Sequence, residues 1–578
     1  MVFVSWQDTY NTWKNQATLE TSLKQELTGM AGDDAALEDA FYEPMEFGTA
    51  GMRGVLGPGI NRMNIYTVRQ ATEGLARFMD TLSAEVKERG VAISFDSRHH
   101  SEDFAHESAR VLGQHGIKSY VFESLRPTPE LSFTVRHLHT YAGIMITASH
   151  NPKQYNGYKI YGEDGGQMPP KESDLITSYI RKVDDVFAIA VADEQQLLAD
   201  KTETIIGDDV DQDYLAKVKE VTINQKLVDE FGKDMKLVFT PLHGTGRMLG
   251  EKALKNAGFK NFSVVKEQAV ADPEFSTVKF PNPEFPEAFK MAIDLGKKED
   301  ADVLIAVDPD ADRLGTAVRQ PNGEYVLLTG NQIAAVLLHY ILQANKDAGT
   351  LPTNAAAVKS IVSSEFATKV AASYGVTMIN VLTGFKYIAE QIEHFEATGE
   401  HTYMFGFEES YGYLIKPFVH DKDAIQTTVL LAEVAAYYKQ QGKNLYDGLQ
   451  DLFKEYGYFR EQTTSEEFDG VGGSDKIAAL MTKFRNETPT DFAGYDVTGT
   501  EDFQSQTESL ADGHTTPIAL PQANVLKYHL TDGTWIAIRP SGTEPKIKFY
   551  IGTLGVTLDE ANDKLAKFEA AIQAFIKE

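Results

Sequence analysis

The chain has 578 residues, too many for one hydrophobic core, and at roughly 150 residues per domain about four domains are expected. Hydrophobic residues make up 42% and charged residues 24%, an ordinary balance for a soluble globular protein, and the absence of cysteine excludes disulfides, thiolate chemistry and cysteine-ligated metals. A net charge of −29 repels polyanions, which argues against nucleic acid and anionic membranes as partners; an anionic substrate would need its own local cluster of Arg and Lys.

The first segment, "MVFVSWQDTYNTWKNQ", lacks a basic region followed by an apolar core, so no signal peptide is expected. No run of about 18 uninterrupted apolar residues occurs, so no membrane span is expected, and the reading is cytoplasmic. Residues 66–82 carry helical periodicity; "VAISFD" (91–96) reads as a strand, 101–115 as a helix, 118–123 and 143–147 as strands. The same rhythm returns as strand 236–240, helix 246–258, strand 262–265, helix 287–298 and strand 302–307. A third round runs helix 330–344, strand 355–362, helix 365–374, strand 376–381, helix 386–395 and strand 401–407. Strands alternating with helices predict parallel sheets covered by helices. From residue 459 the pattern changes: "NVLKYHL", "TWIAIRP" and "KIKFYIG" predict antiparallel strands, 464–475 and 498–515 read as loops, and 558–577 as a closing helix. The expected fold is three consecutive α/β domains with mixed, mainly parallel sheets, 1–207, 208–323 and 324–457, then an α+β domain, 458–578, with an antiparallel sheet, around one central cleft.

In each α/β round an apolar strand runs into a polar loop, where open parallel sheets bind ligands. In "GIMITASHNP" a buried strand ends on Ser149 and His150. Ser149 reads as a helix cap or turn residue, or as a carrier of a phosphoryl group, which needs no activating base. "DPDADR" spaces Asp308, Asp310 and Asp312 at i, i+2 and i+4, so an extended segment would point all three carboxylates one way, toward a hard cation such as Mg²⁺. An EF-hand is rejected, because Arg313 and Arg319 stand where its Gly and Glu belong and a strand precedes the loop. A phosphorylated Ser149 would supply a further oxygen ligand.

"FGFEESYGY" places Glu408 and Ser410 on one side of an extended segment, a carboxylate and a hydroxyl suited to a sugar's hydroxyls. "TGFK" (Thr383, Gly384, Lys386) and "HDKD" (420–423) add basic groups nearby. "RPSGTEPKIKFY" offers Arg539, Ser541, Gly542 and Thr543 as a donor-rich loop for a phosphate, with Lys548 on the following strand. "GTAGMRG" offers Arg53 in a glycine-rich turn that reads equally as an anion site.

Together these segments resemble the α-D-phosphohexomutase superfamily: "TASHNP" its phosphoserine loop, "DPDADR" its metal loop, "FEES" its sugar loop and "RPSGTEP" its phosphate loop, in the family's order along nearly the whole chain. "GTAGMRG" with an extended N-terminus is most similar to the bacterial phosphoglucomutase branch. The resemblance implies an isomerase that interconverts α-glucose 1-phosphate and glucose 6-phosphate through phospho-Ser149 and a glucose 1,6-bisphosphate intermediate, which also activates the enzyme. It implies Mg²⁺ on Asp308, Asp310, Asp312 and Ser149, with Arg53 and Arg313 assisting. The other phosphate would rest on Arg539, Ser541 and Thr543. Lys159, in "NGYK", and Lys422 match the family's acid/base lysines, and His150 supports the phosphoserine or packs the loop. Mannose and pentose phosphates remain alternative substrates, and a catalytically idle sugar-phosphate-binding protein is the alternative of another class. The expected partner is a sugar phosphate, with no nucleic acid and no membrane, in a monomer or small homo-oligomer.

Overall fold

The computed structural model of the chain describes residues 5–47, 51–468, 473–487, 489–541 and 546–577. They form two compact units: Met1–Leu328 with Ala389–Ala397 and Tyr411–Gln440, and Thr329–Ile388 with Thr398–Ser410 and Gln441–Glu578. No helix among the described residues is long and apolar enough to cross a membrane.

The first unit holds two sheets. One orders the strands Met52–Val55, Tyr155–Tyr161, Ala142–Ile146, Val91–Phe95, Ser119–Phe122 and Glu203–Ile206. The last four are mutually parallel, and Tyr155–Tyr161 runs antiparallel to both neighbours. "VAISF" and "AGIMI" are buried along their whole length, as near-continuous apolar runs covered on both faces must be. The second sheet orders Tyr325–Leu328, Leu314–Arg319, Val303–Val307, Leu237–Thr240 and Phe262–Val264, the last three parallel. Helices Ile65–Asp80 and Ser101–Gln114 supply the apolar side of the first core, where Val68, Leu75, Met79, Phe104 and Leu112 meet Ile93 and Ile144. The helix Ile65–Asp80 opens on a reciprocal cap between Asn64 and Thr67.

In the second unit Thr377–Val381, Ala355–Ser360 and Thr402–Glu408 are parallel neighbours. A separate antiparallel sheet orders Tyr458–Glu467, Lys546–Gly555, Trp535–Pro540, Leu526–Leu530, Tyr495–Asp502, Thr507–Leu510 and Thr515–Pro517. Its inner face, with Ile547, Phe549 and Ile551, packs on Leu565, Phe568 and Ile572 of the closing helix Leu558–Lys577.

The three α/β rounds and the antiparallel end follow the sequence pattern. Three segments differ from it. In 464–475 the start is strand, Thr464 and Ser465 lying in register with Phe549 and Lys548, 469–472 lie outside the described residues, and Gly473 opens a helix; in 498–515 Gly499–Asp502 pair with Thr507–Leu510. Threonine tolerates the pleated backbone, and strands with one wet face carry little apolar signal. The helix expected at 287–298 opens instead as a 3₁₀ turn, Pro286–Phe289, before Lys290–Glu299.

Candidate active site

The first unit gathers most of the expected chemistry. The buried strand Ala142–Ile146 delivers Ser149 with φ of 51°, a left-handed conformation that side chains other than glycine adopt only when held there. The hold is visible. Ser149 N donates to Thr147 Oγ1 at 2.8 Å, and Thr147 Oγ1 donates to Asp96 Oδ2 at 2.6 Å. Asp96 ends the neighbouring strand, accepts from Ser101 Oγ at 2.7 Å and pairs with Arg98 Nε at 3.1 Å. The Arg98 guanidinium, buried beneath the loop, donates to the carbonyls of Ser149 and Asn151 at 2.6 Å and of Pro152 and Tyr155 at 2.9 Å. Its outer face lies 4.9 Å from the Phe275 ring centroid. Four backbone carbonyls on one arginine fix the curvature of the serine loop.

Ser149 Oγ donates to Asp308 Oδ2 at 2.8 Å and lies 3.2 Å from His150 Nδ1. Asp308, Asp310 and Asp312 are all buried, with ligand atoms within 4.8 Å of one another. Their convergence has a different cause from the expected extended segment. Residues 308–312 turn, Ala311 takes φ of 51°, and Asp308 Oδ1 accepts from the backbone of Asp312 and Arg313 at 3.2 and 3.0 Å. The turn also presses on "HGTG": a Cβ on Gly244 would lie 2.2 Å from Pro309 Cα, so only glycine fits there.

Three buried carboxylates repel. Burial, with Asp310 and Asp312 adding to it, pushes the Asp308 carboxyl well above its ordinary range. Burial is the largest single influence on Asp310, but the Lys159 charge, a hydrogen bond with Asp308 and the Lys422 charge together outweigh it, and the carboxyl is held low. Lys159 Nζ donates to Asp310 Oδ2 at 3.1 Å, Thr128 Oγ1 to the same oxygen at 3.0 Å, and Lys422 Nζ lies 3.0 Å from both Asp312 Oδ2 and Asp421 Oδ1. Asp310 Oδ1 and Asp312 Oδ1 are buried with no hydrogen-bond partner among the described residues. Orphaned hard oxygens facing one another suit a divalent cation with oxygen preference.

Arg53 donates to Asn151 Oδ1 at 3.0 Å, and Arg313 pairs with Glu284 Oε1 at 2.7 Å. Desolvation, then the charges of Arg313 and Arg53, hold the His150 imidazole well below its ordinary value, so it stands neutral beside Ser149.

The second unit holds the remaining expected residues. Glu408 ends its strand buried, and Gly384 N donates to Glu408 Oε1 at 2.8 Å. Glu409 turns the other way and accepts from Ser360 Oγ and Ser363 Oγ at 3.0 and 3.2 Å. Ser410 lies in the turn after the strand, so the extended pair with Glu408 is not formed; the chain needs the turn, with Tyr411 at φ 66°, to reverse. Thr383 Oγ1 is buried without a hydrogen-bond partner among the described residues, and Lys386 lies in the first turn of the helix Phe385–Thr398, its Nζ 4.9 Å from the Tyr387 ring. Arg539 and Lys548 are cross-strand neighbours, and Ser541 N donates to Lys546 O at 2.8 Å. Gly542 and Thr543 lie outside the described residues, as does the start of "GTAGMRG", 48–50.

Sequence reasoning missed Asp96, Arg98, Thr128 and Asp421. The one available signal was "SFDSR", a buried strand ending on an acid and a base beside the strand that ends at Ser149.

Four sequence profiles match the chain: phosphoglucomutase/phosphomannomutase alpha/beta/alpha domain I over residues 44–186, domain II over 212–323, domain III over 329–456, and the C-terminal domain over 489–571. A phosphoglucomutase of Staphylococcus epidermidis is 42% identical over 520 residues, 89% of this chain and 91% of its own. One from Staphylococcus aureus is 40% identical over 537 residues, 92% and 94% of the two chains. Among solved structures, the open form of pp63/parafusin, a phosphoglucomutase from Paramecium, matches with a TM-score of 0.66 at 18% identity, covering 93% of this chain and 95% of its own. A phosphoglucomutase/phosphomannomutase family protein from Burkholderia thailandensis matches with a TM-score of 0.64 at 17% identity, covering 91% and 97%. These structures share the fold.

Proposed function

The chain belongs to the α-D-phosphohexomutase superfamily, an isomerase acting on glucose phosphate, and from that premise we propose that it interconverts α-D-glucose 1-phosphate and D-glucose 6-phosphate in the cytoplasm through phospho-Ser149 and glucose 1,6-bisphosphate. The observation that carries this reading is Ser149 Oγ, 2.8 Å from Asp308 Oδ2 in a buried cluster with two orphaned carboxylate oxygens.

Asp308, Asp310 and Asp312, with a phosphoryl oxygen on Ser149, would hold Mg²⁺, which when bound offsets negative charge on the transferring group. The rest is done by the chain. Arg98 holds the serine loop so that Oγ faces the aspartates. In the forward transfer the sugar hydroxyl oxygen bonds to phosphorus, the Ser149 Oγ–P bond breaks, and the hydroxyl proton ends on Ser149 Oγ. Lys159 Nζ and Lys422 Nζ relay it. Both are ion-paired to the aspartate turn that faces Ser149, so either is placed to pass the proton on. Neutral His150 donates from Nδ1 to Ser149 Oγ, whose own proton goes to Asp308, and so keeps that oxygen oriented. Arg53 and Arg313 draw in the phosphate. Glu408, Ser410, Thr383, Gly384 and Lys386 read the sugar, and Arg539, Ser541, Gly542, Thr543 and Lys548 hold the phosphate that stays. The work divides over four domains, 1–207, 208–323, 324–457 and 458–578.

The test is a coupled assay of α-glucose 1-phosphate with Mg²⁺ and a trace of glucose 1,6-bisphosphate, together with intact mass. We expect turnover that EDTA abolishes, a phosphorylated fraction of the wild type, and loss of both in Ser149→Ala by at least about 10³-fold in rate. Full turnover in Ser149→Ala would sink the phosphoserine. Faster turnover of mannose 1-phosphate than of glucose 1-phosphate would overturn the substrate.

A further inference from the structure

A second cluster of ligating side chains lies in the first unit, built from residues with no part in the chemistry above. His106 sits in the helix Ser101–Gln114, Glu194 is the first residue of the helix Glu194–Asp200, and Glu203 opens the edge strand Glu203–Ile206. Their ligand atoms lie within 4.8 Å of one another. His106 Nδ1 is 3.2 Å from Glu203 Oε1 and 3.3 Å from Glu194 Oε1.

The Glu203 carboxylate is unusual. Its side chain is 0% exposed, yet Oε2 has no hydrogen-bond partner among the described residues. A buried carboxylate with one oxygen unmet is costly unless a cation meets it. His106 Nδ1 meets Glu203 at Oε1 and leaves Oε2 without a partner among the described residues.

The scaffold is fixed on every side. Arg110, one turn after His106, exchanges two hydrogen bonds with the approach to Glu194: Ala192 N donates to Arg110 O, and the Arg110 side chain donates from Nε to Ala192 O, both at 3.0 Å. Asp193 caps the helix that begins at Glu194. Glu203 is in register with Ser119 of the neighbouring strand. The three ligands therefore come from three anchored elements.

We propose that His106 Nδ1, Glu194 and Glu203 form a structural Zn²⁺ site that fastens the 192–206 segment to the helix Ser101–Gln114. One imidazole and two carboxylates make a set that Zn²⁺ accepts, with water as the fourth ligand. The spacing agrees: Zn–N and Zn–O bonds of about 2.0–2.2 Å in a tetrahedron put ligand atoms about 3.3–3.5 Å apart, close to the two distances above. The set differs from the all-oxygen aspartate turn, so the two sites select different ions. The rival occupant is a proton. The hydrogen bond to Glu203, opposed by burial and aided by the charges of Glu203, Glu194 and Glu102, holds the His106 imidazolium above its ordinary value.

The full chain, kept in millimolar Mg²⁺ to satisfy the aspartate turn, is titrated with Zn²⁺ by calorimetry and with Co²⁺ by visible absorption. We expect one Zn²⁺ per chain, tetrahedral Co²⁺ bands, and a rise of the thermal midpoint with Zn²⁺. His106→Gln should lose the bands and at least about tenfold in affinity. Glu194 is 45% exposed, so Glu194→Gln should fold normally and lose affinity in the same way. Three results would overturn the site. One is no Zn²⁺ uptake in Mg²⁺, which would leave a protonated His106. Another is uptake unchanged in both variants. The third is uptake abolished by Asp310→Asn but not by His106→Gln, which would return the ion to the aspartate turn.

Discussion

The serine–aspartate centre of the first unit and the Glu408 loop of the second hold their functional groups in different ways. Around Ser149 the polar groups are tied to one another across strands. Asp96 locks Thr147, Arg98 locks four carbonyls, and Lys159 and Lys422 lock the aspartate turn. Around Glu408 a backbone amide takes part in the hold: Gly384 N donates to Oε1 where the strand ends. The bracing around Ser149 fits its task. Phosphoryl transfer demands a fixed geometry, because misplacement of about 1 Å costs about 10²-fold.

The largest test of that contrast is Arg98→Lys. A lysine keeps the charge but cannot serve four carbonyls from a planar fork. We expect kcat to fall about 10²-fold with KM within about threefold, because the serine loop loses its curvature while the recognition loops are untouched. A KM that rises as much as kcat falls, or a kcat near wild type, would mean that Arg98 does not position Ser149. Its pairing with Asp96 is buried on both sides, so a lower thermal midpoint is also expected, by a loss of about 2–4 kcal/mol.

Glu408→Gln probes the other side with a smaller effect. Glutamine still offers an oxygen to Gly384 N, while the charge that the proposed function turns to the sugar is lost. A hydrogen bond to a charged group contributes about 1.5–3 kcal/mol, so kcat/KM should fall about 10- to 100-fold, mainly through KM. An unchanged KM for glucose 1-phosphate would remove Glu408 from sugar reading.

What the sequence made legible follows the same division. "TASHNP" and "DPDADR" are contiguous, so their spacing alone marks a serine loop and an acidic turn at strand ends. Asp96, Arg98 and Thr128 reach the site only because parallel strands and the segment after 122 bring distant parts of the chain together, and no local spacing encodes that register. The aspartates converge through a turn closed by Ala311 and by Asp308 Oδ1, which alternate-residue spacing does not distinguish from a strand. Ser410 was misread for the same reason: the strand stops at Glu408 and the chain reverses. The strands Tyr495–Asp502 and Thr507–Leu510 escaped because their outer residues are polar and their support comes from each other.

The smallest expected effect is one that only the second unit should show. Glu461, on the strand Tyr458–Glu467, receives the Ser364 hydroxyl, while Ser364 Oγ itself accepts from Phe366 N at 3.0 Å and so caps the helix Glu365–Ser373. Burial pushes the Glu461 carboxyl from 4.5 up to about 7, and the Ser364 hydrogen bond only partly opposes it. A raised carboxyl means that the folded chain keeps a proton the unfolded chain releases. Stability is therefore full below about pH 4.5 and falls as pH rises toward 7, then levels off. For a partly exposed group the loss should be about 1–2 kcal/mol. Glu461→Gln keeps the acceptor for Ser364 and removes the titration, so its urea midpoint should gain on the wild type between pH 5 and pH 8. Parallel pH slopes in the two proteins would show that Glu461 ionises freely in the fold. The contrast with Ser149 would then weaken, because the strand beside the 361–364 loop would be as fully satisfied as the serine loop.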